Sequence, residues 1–236
     1  MTDSTAPVCF VVSCEHGGNR IPPAYQLLFR DHEAVLASHR GYDPGALLMA
    51  KAIAQQLNAP LFAATTSRLL IDLNRSMGHP QLFSEITRNL PAAARQQILT
   101  RYYRPYRQRV ETAIAQAIQR GSRVIHLSSH SFTPQLHGKV RKADIGLLYD
   151  PASEWEQSLC RQWQQSLRQE LPGLTIRRNY PYTGTADGFT AYLRRRFVCG
   201  WYAGIELEVN QKYFLDDRRK WRSLRRIIVA TLFKTF

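Results

Sequence analysis

The chain has 236 residues, 44% hydrophobic and 21% charged, which is ordinary globular usage for a length that suits one large α/β domain without covalent staples. No apolar stretch approaches the ~20 residues of a membrane span; the opening MTDSTAPVCFVVSC lacks the basic and apolar regions of a secretory leader, and four cysteines with no CxxC pair fit a reduced, cytoplasmic protein. The net charge of +14 admits a polyanionic partner, but the basic residues fall in separate groups at 101–109, 194–196 and 218–226. With no recognisable nucleic-acid-binding spacing, they are expected to be mainly solvated helix faces, and nucleic acid is the less favoured partner.

Val8–Val12 (VCFVV) is a short apolar run between Pro7 and the turn-like stretch 13–18, and predicts a buried first strand. Pro44–Leu57 carries apolar residues at helical spacing, with Asp43 placed to cap the start and Pro44 in the first turn. Strands are expected at Pro60–Ala64 and at Arg68–Leu73, the latter running into Asn74 and Arg75. Ala92–Arg120 holds a long helical pattern with a kink expected at Pro105 and a stop at Gly121. Further strands are read at Arg123–Ser128, Ile145–Tyr149, Leu174–Arg178 and Ala203–Val209, and further helices at Glu154–Glu170 and, strongly basic, Leu215–Phe236. Tyr180–Phe189, rich in Tyr, Gly and Thr, reads as a loop, either a plain surface connection or a lid over a site. This alternation predicts an α/β fold, a single-domain three-layer sandwich over residues 1–236, with a mixed, mostly parallel sheet and helices on both faces.

Such sheets collect ligands at the carboxyl ends of their strands. His16 follows the first strand and His130 a later one, and Glu206 and Glu208, two apart on a strand, share a face. A divalent cation, zinc foremost, takes imidazole and carboxylate ligands, activates water and polarises a carbonyl. A free carboxylate can move the proton, one arginine can stabilise the oxyanion, and another can grip a substrate carboxylate. The chain holds residues for each part.

The blocks CEHGGNRIP (14–22), HRGYDPGA (39–46), SRLLIDLNRS (67–76), HLSSHSFTP (126–134), ADIGLLYD (143–150) and ELEVNQ (206–211) resemble, in order, those of the N-formylglutamate amidohydrolase family. That family is similar in fold to the zinc carboxypeptidases and aspartoacylase-like deacylases. The resemblance implies His16 and His130 as metal ligands, Asn74 and Arg75 as the pair that holds a substrate carboxylate, Arg68 as the carbonyl-polarising arginine and Glu208 as the base. Where those relatives have His-x-x-Glu, this chain has His16, Gly17, Gly18 and Asn19, so another carboxylate must complete the metal site: Asp43 first, Glu15 second.

Bland alternatives stand beside each assignment. Asp43 can be a helix N-cap, Arg75 can pair with Asp72, His126 reads as a structural neighbour of His130, and the Glu206/Glu208 pair can be exposed on an edge strand. The expectation is a zinc-dependent amidohydrolase with one divalent ion, acting on a small carboxylate substrate such as N-formylglutamate. Another deacylase or a carboxypeptidase-like activity, or a nucleic-acid-binding protein on a hydrolase scaffold, is the alternative.

Overall fold

Residues 6–235 are described by the computed structural model; Met1–Thr5, within the opening read for a leader, and Phe236, the end of the expected closing helix, lie outside the described residues. In chain order the elements are β1 (Val8–Cys14), a 3-10 helix (Pro23–Phe29), α1 (Glu33–Ala37), α2 (Ala46–Gln56), β2 (Leu61–Ala63), α3 (Ala92–Ile98), a π turn (Leu99–Tyr103), α4 (Arg104–Gln119) and β3 (Arg123–Phe132). The hairpin β4 (Gln135–Leu136) and β5 (Lys139–Val140) follows. Then come β6 (Ile145–Leu148), α5 (Glu154–Glu170), β7 (Ile176–Arg178), α6 (Phe189–Arg196), β8 (Tyr202–Asn210), α7 (Lys212–Asp216) and α8 (Arg218–Thr235).

Six strands form one sheet in the order β2-β1-β3-β8-β6-β7. The first four are parallel, β6 runs antiparallel to β8, and β7 runs parallel to β6. Helices α2, α5 and α8 cover one face around Met49, Ile53, Trp163 and Ile228. The long π-interrupted helix, α6 and the apolar segment Leu69–Leu73 cover the other. The sheet is mixed and mostly parallel, with helices on both faces, as the alternation of elements predicts.

The two-residue period of the strands sorts the chemistry. In β3, Ile125 and Leu127 enter the α2/α5/α8 core, as do Ala203, Ile205, Leu207 and Val209 of β8. On the opposite face, Val11, Val124 and Tyr202 are apolar at the lower end. Above them on β3 and β8 come His126, Ser128 and His130, then Glu206 and Glu208, all buried. Register places Ser128 beside Glu206 and His130 beside Glu208. One face is therefore a core along its whole length, whereas the other turns from core into a polar site towards the carboxyl ends.

Four local expectations need correction. Arg68–Leu73 is no strand: its leucines are buried, but Leu70 N–H donates to Ser67 C=O and Arg75 N–H to Asp72 C=O, closing two turns, while Asp72 N–H donates to the distant Leu82 C=O. The hydroxyls of Ser84 and Thr87 take the Leu69 and Leu70 carbonyls, so burial is achieved without a ladder. Asp43 does not cap α2 through its side chain; the N-cap is Gly45, at φ +86, and makes no side-chain cap bond. Strand β3 runs past Ser128 to Phe132, so His130 sits on a strand rather than after one. The closing helix is divided at Asp217, and α6 occupies part of the chain for which no element is expected from sequence.

Candidate active site

β1 ends at Cys14, and His16 lies in the turn beyond it. Gly17 is needed there because a Cβ would meet the Ala64 carbonyl at 2.8 Å. The backbone of Asp43 is pinned to this turn, its N–H donating to His16 C=O at 2.9 Å. Oδ2 of Asp43 stands 2.9 Å from His130 Nδ1 and 3.4 Å from His16 Nδ1. One ligating atom from each of His16, Asp43 and His130 falls within a 4.8 Å cluster, and all three residues are buried.

The far sides of both imidazoles are held by buried carboxylates. His16 Nε2 lies 2.7 Å from Asp72 Oδ1. His130 Nε2 lies 3.2 Å from Glu15 Oε2 and 2.9 Å from Ser128 Oγ, which itself donates to Glu15 at 2.6 Å. A carboxylate behind each Nε2 favours a proton there, so that Nδ1 could offer its lone pair to a bound ion, the usual support of a ligating histidine. His16 Nδ1 is buried without a hydrogen-bond partner. Burial works against the charge on His130, but the bonds its ring donates to the Asp43 and Glu15 carboxylates hold its pKa well above the ordinary histidine range. Burial likewise opposes the charges on Asp43 and Glu15, and the histidines prevail and keep both ionised. Two imidazole nitrogens and a carboxylate around an orphaned lone pair suit zinc, for which bonds of 2.0–2.1 Å set ligand atoms about 3.3 Å apart.

Glu208 projects into the same cavity, of about 150 Å³, which Arg68, Asn74, Arg75, Tyr182, Asp187 and Glu206 also line. Its Oε2 is buried without a partner. Burial, reinforced by Asp43 and Glu206 against the pull of His130 and Arg68, pushes its pKa up to about 8. Glu206 is occupied, accepting from Thr190 Oγ1 at 2.5 Å. The two glutamates thus share a face but not an environment, and neither is exposed.

Arg68 is clamped between Asp72, at 2.7 Å, and Asp43, at 3.3 Å. Asn74 Oδ1 accepts from Phe189 N–H, which leaves its amide donors free. Arg75 Nη1 donates to the Asp187 carbonyl at 2.7 Å, and among the described residues no ion pair joins it to Asp72. The structure therefore brings His16, Asp43, His130, Arg68, Asn74, Arg75, Glu206 and Glu208 to one cavity. Glu15 lies behind His130 instead, and both ring nitrogens of His126 are taken, by Tyr202 and Ser13.

Sequence reasoning missed the supports. Asp72 orients His16 and Arg68; a carboxylate inside the apolar run RLLIDL was the available signal. Arg107, read as part of a solvated helix face, is buried; it donates to the Leu73 and Arg75 carbonyls and stacks over Phe189. Tyr103 also donates to the Arg75 carbonyl, at 2.8 Å. Nothing in the helical spacing of 92–120 marks these two as braces for Arg75.

The N-formylglutamate amidohydrolase family model matches residues 8–215. This chain belongs to that family. A gene product of Agrobacterium tumefaciens, known from its crystal structure, is similar at 29% identity and a TM-score of 0.81, covering 98% of this chain and 90% of that one. The N-formylglutamate amidohydrolase of Ralstonia eutropha is similar at 20% identity and a TM-score of 0.73, covering 98% and 93%, a likeness that bears on fold alone. No curated protein matches the chain. Family membership makes it a hydrolase of the amidohydrolase type.

Proposed function

We propose that the chain is a metal-dependent amidohydrolase, a single catalytic domain that hydrolyses a small N-acyl amino acid, N-formylglutamate foremost, to formate and glutamate. The observation that carries this reading is that one cavity is lined by two residues with a buried, unpartnered atom each: His16, whose Nδ1 belongs to the His16–Asp43–His130 cluster, and Glu208, through its Oε2.

His16, Asp43 and His130 would hold one divalent ion, with zinc best suited to this donor set. When bound, the ion supplies Lewis acidity that acidifies water and polarises the amide carbonyl. Glu208 accepts a proton as water adds to the carbonyl carbon and the C=O π pair moves onto oxygen; it then returns that proton to the amine nitrogen, so that the C–N bond breaks as the carbonyl re-forms. Its burial and unpartnered oxygen suit a group that must both take up and give back a proton. Arg68, fixed by two carboxylates, presents its charge where the carbonyl oxygen gains negative charge. Asn74 and Arg75 hold a substrate carboxylate through their remaining donors.

Replacing Glu208 by Gln keeps size and polarity while removing the base. Steady-state hydrolysis of N-formylglutamate by Glu208→Gln is expected to fall by about two orders of magnitude or more in kcat, with bound metal unchanged. Full activity of Glu208→Gln together with an inactive Glu206→Gln would transfer the role to Glu206.

A further inference from the structure

The cavity has an unequal supply of positive charge. Of the two arginines that line it, Arg68 is held by Asp43 and Asp72 for the carbonyl oxygen, which leaves Arg75 as the one available to a substrate carboxylate. A third guanidinium stands next to the wall. Arg141 follows β5, and its backbone N–H donates to Pro134 C=O at 2.8 Å, closing the base of the β4–β5 hairpin. Its guanidinium carbon lies 4.9 Å from the ring centroid of Tyr182, which lines the cavity, and 5.8 Å from that of Phe132, next to the cavity-lining Ser131.

Arg141 has no ion pair among the described residues, and its Nη1 is buried without any hydrogen-bond acceptor. A buried, unpaired guanidinium N–H is costly unless something comes to accept from it. Tyr182 holds the guanidinium in place through its ring and its hydroxyl, and Nη1 remains the donor to be matched, which an incoming carboxylate can accept from.

We propose that Arg141 is a specificity-determining residue that takes the second carboxylate of a dicarboxylic substrate, while Asn74 and Arg75 take the first. The inference rests on the amidohydrolase reading above for the identity of the substrate, but its test does not require turnover. Small dicarboxylates of about five carbons are the ligand class, and Tyr182 is the ring past which the fork reaches them.

Calorimetric titration of the purified protein with glutarate and with its mono-amide, glutaramate, isolates the value of one carboxylate in an otherwise matched ligand. The wild-type protein is expected to prefer glutarate by about tenfold or more, as a charge-assisted fork would give. In Arg141→Gln that preference is expected to shrink to about threefold or less. Arg141→Lys, which retains the charge without the fork, is expected to fall between the two. Absence of a preference in the wild type, or a preference kept in full by Arg141→Gln, overturns the proposal; should Arg141→Gln not fold, an undiminished preference in Arg141→Lys does so. Hydrolysis of N-formylglutamate by the wild type is measured alongside. Its failure would remove the enzymatic reading while the calorimetric ratio still decides the role of Arg141.

Discussion

At the scale of single residues, the site is organised by what stands behind each functional atom. Glu15 accepts from Tyr106 and Ser128 and lies against His130 Nε2, so its carboxylate is held at three points. Asp72 meets both His16 and Arg68 and also accepts from the Asn74 backbone N–H. Neither needs to touch a metal ion to govern how well one is held. Glu15→Gln keeps the shape but removes the charge that fixes the tautomer of His130. Its zinc affinity, measured by competition with a chromophoric chelator, is expected to fall about 10–100-fold. An affinity equal to wild type would mean that His130 needs no such support.

These residues also mark the limit of what the sequence reveals about the site. His16, His130 and Glu208 are legible because they sit in short polar blocks at the ends of apolar runs. Asp43 is legible only as one of two alternatives, since a helix N-cap and a metal ligand call for the same residue in the same place; the geometry turns its carboxylate to His130. The support of Asp72 for His16 and of Arg107 for the Leu73 carbonyl could not be assigned from spacing, because these partners are 56 and 34 residues away.

Among the elements, the strands were the readable part. The run 203–209 is buried on both faces and 8–12 becomes so towards its end, and apolar composition announces both. The segment 68–73 has the same composition and is equally buried, yet hydroxyls from Ser84 and Thr87 satisfy its carbonyls in place of a neighbouring strand. Periodicity cannot distinguish those two ways of burying a leucine. Helix α6 was obscured for a different reason: its Arg194 is only partly exposed, spans Glu156 and the Gly184 and Gly204 carbonyls, and so interrupts the pattern of an exposed polar face.

The junction of β6, β7 and α7 offers an element-scale test. Burial pushes the Asp144 carboxyl up, but bonds from Lys212, the Thr175 N–H and Tyr213 outweigh it and hold the pKa below the ordinary value. A depressed carboxyl stabilises the fold above its unfolded pKa of about 3.9 and loses that contribution as pH falls through the folded value. Thermal melting should therefore show Asp144→Asn below wild type at neutral pH, with the gap closing as pH drops below about 4. A gap that stays constant across this range would assign the effect of Asp144 to packing rather than charge.

Taken as a whole, the molecule separates its tasks across the sheet. One face is a continuous core under α2, α5 and α8, and supplies stability. The other gives up part of its core to a buried column of Ser, His and Glu side chains, where His130 stays charged through its carboxylate partners while the unpartnered Glu208 has its pKa pushed up. The excess positive charge lies elsewhere: Arg219, Arg222, Arg225 and Arg226 line a groove of about 750 Å³ between α2 and α8, which shares no lining residue with the candidate site. No helix among the described residues is long and apolar enough to cross a membrane.

Metal content, determined by elemental analysis of the purified protein and of His16→Ala prepared alongside it, tests the central claim most directly. One divalent ion per wild-type chain is expected, removable by a chelator with loss of hydrolysis, and His16→Ala should hold well under that amount. A wild-type protein that hydrolyses N-formylglutamate while carrying no metal, or a His16→Ala variant that retains a full complement, would contradict the account.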